Sequence, residues 1–306
     1  MANYTQGSVY DKNRFDVTKE IVPSNPFFKA LEKEEMVYEE REKPISFYHI
    51  TSALERGEIS DLDKVIISLI ATFGSCCMTK RSLTELLTLL GVDYNSNRIV
   101  SSIARLHRLH LINIAHFKKA GEPQATTQII ILTNHGSQLA KSFGIVHRFN
   151  AINMASMTVA TAKARCQTTQ LIVNFLKNID LDCFKVRPVI VKNPDEGAIV
   201  RPAASIAIRG EYINIEVPRR EDEWMENLME KLNRYKLVFP PQEMPSVIIN
   251  GEDEEMNREI FIRLRASNND MEIMFTDDLA TFGVNFRYSL YSFAEDGSKL
   301  HFEFVE

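Results

Sequence analysis

Seven residues carry the chemistry this sequence offers most plainly: Arg98, Ser101, Ser102, Arg105, Arg108, Lys118 and Lys119. An Arg fork matches the O6 and N7 edge of guanine, and a Ser hydroxyl bonds donors or acceptors. Lys meets phosphate as a point charge, giving affinity without sequence information. Between Thr79 and Lys119 there are 7 basic residues against 2 acidic ones, so positive charge is concentrated there. The other group worth weighing is a carboxylate, Glu216; a register shift would be needed to recruit Asp182, Glu211 or Arg219 beside it, and no spacing favours that. His107 and His110 lie three apart and His116 follows. With no Cys or carboxylate at a suitable spacing, they read as surface or DNA-facing residues rather than metal ligands. His301 and Glu303 alternate onto one face of a strand as a surface pair.

Several chemistries lack their motifs. The sequence contains neither GxxxxGK[ST] nor GxGxxG, and no GxSxG, which removes the usual support for ATP hydrolysis, nicotinamide chemistry and esterase chemistry. Four cysteines, Cys76 and Cys77 adjacent, form no disulfide framework and no spaced metal pair. No cofactor and no metal is implied. The apolar run from Val65 to Phe73 is broken by Ser68 and Thr72 and falls short of the ~18 residues of a membrane span. Met1 to Tyr10 lacks the basic and apolar regions of a signal peptide. The expectation is a cytoplasmic chain without membrane contact.

The elements that must position these residues follow from charge and period. At 306 residues, about two domains are expected. Hydrophobic residues make up 44% and charged residues 25%, which excludes wholesale disorder. The net charge of −5 resolves into −3 over residues 1–60, +9 over residues 61–192 and −11 over residues 193–306. A basic middle attracts phosphate backbones, and an acidic C-terminal part repels them.

Residues 1–60 read as an arm followed by a helix from about Ser24-Asn25-Pro26 to Glu42. From Asp61 the spacing of Leu62, Val65, Ile66, Leu69 and Ile70 predicts a helix capped at Asp61. Thr79 caps a second, with Leu83, Leu86, Leu87 and Leu90 on one face, ending at Gly91. Asn95-Ser96 opens a third, with Ile99, Ile103, Leu106 and Leu109 inside and Arg98, Ser101, Ser102, Arg105 and Arg108 opposite. Leu111 to Phe117 and Thr127 to Thr133 form a hairpin around a Lys-, Gly- and Pro-rich turn, and a short helix, Gly136 to Phe143, follows. A longer helical stretch from 154 to 178 connects to the C-terminal half. There strands are predicted over Phe184–Val191, Ile199–Ile208 and Tyr212–Val217, then a helix from Glu221 to Val238. A strand over Ser246–Ile249, a helix over Glu254–Arg265 and a strand over Glu272–Phe275 come next. Two late β segments, Asn285–Phe293 and Lys299–Val305, finish the chain. The expected class is α+β: domain 61–150, a connecting helix over 151–180, and an acidic α/β domain over 181–306.

Three short helices followed by a hairpin with a basic tip resemble the winged helix-turn-helix superfamily. By that likeness Ser96–Leu109 is the recognition helix and Lys118–Gly121 the wing tip. The order αβββαβαβ of the C-terminal half resembles the core of the PD-(D/E)xK nucleases. The two together resemble the replication-relaxation family of plasmids and conjugative elements. Arg201-Pro202-Ala203, Ile215-Glu216-Val217 and Lys231-Leu232-Asn233-Arg234-Tyr235 carry this likeness, which covers about residues 61–276. It implies a Pro-Asp pair on one strand, an acidic residue on the next and a Lys…Tyr pattern in the helix.

Here the Asp position reads Ala203, and the Lys position two residues after Glu216 reads Pro218. A divalent cation for phosphodiester hydrolysis needs at least two carboxylates, so the likeness implies an inactive core. The reading that follows is an accessory or regulatory protein of mobile-element replication or transfer. It binds double-stranded DNA through Arg98, Ser101, Ser102, Arg105, Arg108, Lys118 and Lys119. Its acidic domain contacts a replication or transfer protein, or a second copy of the chain as a homodimer. The alternatives are a metal-dependent endonuclease with Glu216 as a ligand, and a protein-interaction module that binds no DNA.

Overall fold

A computed structural model describes residues 10–11, 34–39, 46–74, 76–92, 94–119, 125–145, 157–191, 198–267, 271–281, 286 and 289–304. They divide into two compact units. One is drawn from Leu31–Val173. The other is drawn from Asn174–Glu306 together with β1 (Tyr10–Asp11), which pairs with the last strand of the chain.

In the first unit, β2 (Glu34–Tyr38) stands where the sequence pattern predicts the end of a helix. The part of that expected helix before residue 34 lies outside the described residues. Glu34 and Glu35 favour a helix, but Val37 and Tyr38 favour a strand, and an available strand edge decides the outcome. Met36, Val37 and Tyr38 stand opposite Phe117, His116 and Ala115 of the strand they join. The helix α1 (Phe47–Glu55) follows, burying Ile50 and Ala53, so residues before 61 share this unit's sheet and core.

Next is α2 (Asp61–Thr72), capped by Ser60 rather than by Asp61. The Ser60 amide donates to the Asp63 carboxylate at 2.7 Å, and the Asp63 amide donates back to the Ser60 hydroxyl, a capping box. The short strand β3 (Cys77–Thr79) leads into α3 (Lys80–Leu89), whose cap is Thr79 as expected. Asn95 caps α4 (Ser96–Arg108) by accepting from the Arg98 amide at 2.9 Å.

The hairpin strands β4 (Ile112–Lys119) and β5 (Ala125–Leu132) form the middle of a four-stranded sheet in the order β2-β4-β5-β3. The helix α5 (Asn134–Ser142) starts so close to β4 that a Cβ at Gly136 would collide with the Leu111 carbonyl. Only glycine fits there. The boundary between the units falls within α6 (Val159–Asn178). On its first-unit portion the Cys166 thiol lies 3.6 Å from that of Cys77, and Gln170 accepts from the Ser82 hydroxyl at 2.9 Å.

The second unit is built on a seven-stranded sheet. Its first strand is β6 (Cys183–Val186), and a small separate ladder joins β7 (Ile190–Val191) to β8 (Ile199–Val200). β9 (Ala204–Ile208) and β10 (Glu211–Glu216) meet at Arg209-Gly210, where both residues take positive φ, the geometry a two-residue hairpin turn requires. Two strands predicted as continuous are interrupted at Pro188 and Pro202, which cannot donate to a ladder.

Then come α7 (Trp224–Val238), β11 (Ser246–Gly251), α8 (Glu254–Ala266) and β12 (Ile273–Asp277). A four-residue helix, α9 (Asp278–Thr281), precedes the final strands β13 (Tyr291–Phe293), β14 (Lys299–His301) and β15 (Glu303–Phe304). The sheet order is β14-β13-β12-β11-β10-β9-β6, with β10, β11 and β12 parallel and the outer pairings antiparallel. Leu228, Leu232 and Tyr235 of α7 and Met256 and Ile260 of α8 pack on Val247, Ile249, Phe275 and Tyr291. The protein is thus a mixed α+β structure, as its pattern predicts.

Candidate nucleic-acid interface

The helix α4 owes its orientation to its apolar spacing. Ile99, Ile103 and Leu106 are buried, and Leu109, just past its end, is half-buried. The outer face carries Asn97, Ser101, Ala104 and Arg108 at i, i+4, i+7 and i+11, one line along the helix, and all four are exposed. Arg98 and Val100 flank that line and are also exposed. No Asp or Glu occurs between Ser96 and Arg108. Near its far end, the Arg108 charge helps to hold Glu58 below the usual carboxylate range, although the main cause is the hydrogen bond from Arg56.

Two of the predicted contact residues face elsewhere. Ser102 is 1% exposed, because it lies three residues after Ile99 and four before Leu106, on the inner side of the helix. Its polar type suggested the outer face, but its position in the period places it inside. Arg105 is drawn back across the helix to Asp63. Its Nε lies 2.7 Å from Oδ2 and its Nη2 3.0 Å from Oδ1, a bidentate pair, and Nη2 also reaches the Ser60 hydroxyl at 3.1 Å. Asp63 has no exposure at all. A carboxylate buried that deeply needs a counter-charge, and Arg105 supplies it. Asn97, Val100 and Ala104 were not among the expected contacts. The signal that finds them is the same 3.6-residue period, read from the buried side outward.

The lysines also move from their expected place. Lys118 and Lys119 belong to β4 rather than to a turn, opposite Glu35 and Glu34 of β2. The register between β4 and β5 shifts at Phe117/Lys118, and β4 runs past the expected end of the strand to Lys119. Lys118 is half-buried, and the hairpin tip, 120–124, lies outside the described residues. The three histidines go to three environments. His107 is half-buried on α4, His110 is buried with positive φ, and His116 Nε2 lies 2.7 Å from Glu39 Oε1.

In the second unit, Glu216 ends β10 at 2% exposure. Lys231 of α7 forms an ion pair with it through Nζ, and the Tyr235 hydroxyl donates to its other oxygen at 2.8 Å. Burial pushes the Glu216 carboxyl up, and Lys231 and Tyr235 pull against that shift. Burial first, and Glu216 second, push the Tyr235 hydroxyl far above its ordinary value, so it keeps the proton that it donates to Glu216. On the same sheet face the Ser205 hydroxyl donates to Asn214 Oδ1.

That face borders a cleft of about 840 Å³, lined in part by Lys185, Tyr212, Asn214, Phe239 and Glu272. The motif residues Glu216, Lys231 and Tyr235 therefore meet, while Ala203 brings no second carboxylate. Among the described residues, no group of three or more His, Cys, Asp or Glu side chains is placed to hold a metal ion.

No family model matches the chain, and no curated protein matches it. Among solved structures, it is similar to the crystal structure of protein VC1899 from Vibrio cholerae, with a TM-score of 0.31 and 8% identity. The match covers 81% of this chain and 56% of that one, so the chain spans little more than half the length of its structural neighbour. A likeness at that level carries no argument about either fold or function.

Proposed function

We propose that this protein binds duplex DNA, with α4 as the recognition helix of a winged helix-turn-helix unit. The observation that carries the reading is the outer face of α4. It is exposed, free of acidic residues, and carries Asn97, Arg98, Ser101 and Arg108 on one rigid helix. The order α2, β3, α3, α4, β4, β5, with β3 closing the sheet against β5, supports the comparison with that superfamily. Lys118 and Lys119, near the end of the hairpin, add phosphate contacts. Ser102 and Arg105 leave the DNA-reading set and take structural roles.

In this reading the acidic second unit docks a replication or transfer protein, or a second copy of the chain. Glu216 supports a structural role for that unit, since its carboxylate is already engaged by Lys231 and Tyr235. The setting suggested by the replication-relaxation resemblance is mobile-element replication or transfer in the cytoplasm. Among the described residues, no helix is long and apolar enough to cross a membrane.

The test is a titration of the full chain with duplex DNA across a range of salt concentrations. Wild type should bind with a steep salt dependence. Lys118→Ala with Lys119→Ala should flatten the log K against log salt slope by about 1.8, the value for two lost phosphate contacts. Arg98→Ala with Arg108→Ala should weaken binding at least roughly tenfold. Absence of duplex binding at low salt would overturn the proposal in favour of a protein-docking module.

A further inference from the structure

The outer face of α4 is not uniformly polar. Val100 is 48% exposed, and Ala104, one turn further along, is exposed as well. Asn97 lies one turn before Val100, so Asn97, Val100 and Ala104 form a stripe at i, i+3 and i+7. An apolar pair on an exposed helix face is a cost in water unless something apolar covers it. In the major groove of B-DNA, the apolar feature among the four ordinary base pairs is the 5-methyl group of thymine. An Asn amide matches the N6 donor and N7 acceptor of adenine in a two-bond pair. The stripe therefore offers an amide at the N-terminal end, where a recognition helix meets base edges, followed by two small apolar groups. The burial of Ser102 and the capture of Arg105 by Asp63 leave this stripe on one side of the exposed face, beside Ser101 and Arg108.

We infer that α4 reads consecutive A·T pairs, Asn97 pairing with an adenine while Val100 and Ala104 pack against thymine methyl groups. The inference rests on the duplex-binding reading and goes beyond it, since binding to phosphates alone requires none of these three residues. Asn97, Val100 and Ala104 thereby become the specificity-determining residues, and Arg98 and Arg108 flank them as cations.

The test begins with selection of bound duplexes from a random pool by the full chain. Thymines in the selected site are then replaced one at a time by uracil, which removes only the 5-methyl group. Loss of one buried methyl predicts a drop in wild-type affinity of about fourfold at one or two positions. Val100→Ala should bind the thymine duplex more weakly and show a much smaller further loss on the uracil duplex. Replacing adenine N7 by carbon at the Asn97 position should weaken wild type, and Asn97→Ala should be insensitive to that change. Losing the whole two-bond pair in Asn97→Ala predicts roughly 5- to 150-fold.

Val100 and Asn97 are exposed, so both variants are expected to fold. An unchanged circular dichroism melt verifies this, and Val100→Thr, which keeps size and branching, supplies a second reading. A selected site without A·T pairs at its centre overturns the inference, as does an equal uracil penalty in wild type and Val100→Ala. Salt-dependent binding indifferent to sequence also overturns it, while leaving duplex binding standing. Failure to bind any duplex removes both together.

Discussion

Arg105 offers the sharpest test of how α4 is held. In Arg105→Ala the carboxylate of Asp63, which has no exposure, loses its bidentate partner. Breaking a fully buried pair on one side costs about 3–5 kcal/mol. Arg105 is 30% exposed, and Asp63 keeps its hydrogen bonds from the Ser60 amide and hydroxyl. Solvent screening and those remaining bonds reduce the cost to about 2 kcal/mol. Urea unfolding followed by far-ultraviolet circular dichroism reads the change, with an unaltered m-value as the sign that only stability has moved. The variant Asp63→Ala should lose a similar amount. The double variant should fall short of the sum of the two, because both single changes remove one shared interaction. The preferred DNA site should stay the same in Arg105→Ala, with only the amount of active protein reduced. A stability change below about 0.5 kcal/mol combined with a new base preference would refute the reasoning and return Arg105 to the DNA-facing set.

Two further perturbations concern the acidic unit. Lys231→Ala leaves Glu216 buried without its counter-charge, with Tyr235 and the Ala203 backbone still bonded to it, and should destabilise by about 2–4 kcal/mol. Glu216→Gln, which still accepts from Tyr235 and leaves a half-exposed Lys231 free to reach water, should cost less than half as much. The reverse order in chemical denaturation would contradict this account, and Mg²⁺-dependent cleavage of DNA abolished by Glu216→Ala would revive the endonuclease alternative. Asp253 caps α8, and its carboxylate forms a bidentate pair with Arg220 at 2.7 and 3.0 Å. Burial works to raise its carboxyl, but the Arg220 hydrogen bonds and the Met256 amide outweigh burial and hold it below its ordinary value. A lowered folded-state value means the stabilisation is present above the unfolded value and lost as the pH falls through the folded one. Asp253→Asn should therefore be less stable than wild type at neutral pH, and the gap should close below about pH 4. A gap that persists unchanged into acid would remove the ion pair as its cause.

The elements that sequence patterning located well are those whose local signals and tertiary surroundings agree. Thr79 and Asn95 cap their helices because a side-chain oxygen satisfies an amide the helix cannot, and that need is the same in any fold. Where a distant partner decides, the local signal fails. Glu34 and Glu35 read as helix, yet the edge of β4, more than seventy residues on, draws them into a strand. The two misplaced contact residues of α4 have different causes. Residue type alone puts a Ser or an Arg outside. Ser102 sits inside because the helical period leaves it between Ile99 and Leu106. Arg105 turns inward because Asp63, one of the two partners of the Ser60 capping box, is buried and takes the guanidinium as a bidentate partner. Nothing near Arg105 in sequence announces that acid. The consequence reaches the proposed function. An Arg spent on Asp63 ties α4 to the start of α2, which fixes how α4 presents its outer face. A recognition helix needs that fixed aim as much as it needs the side chains that touch the bases.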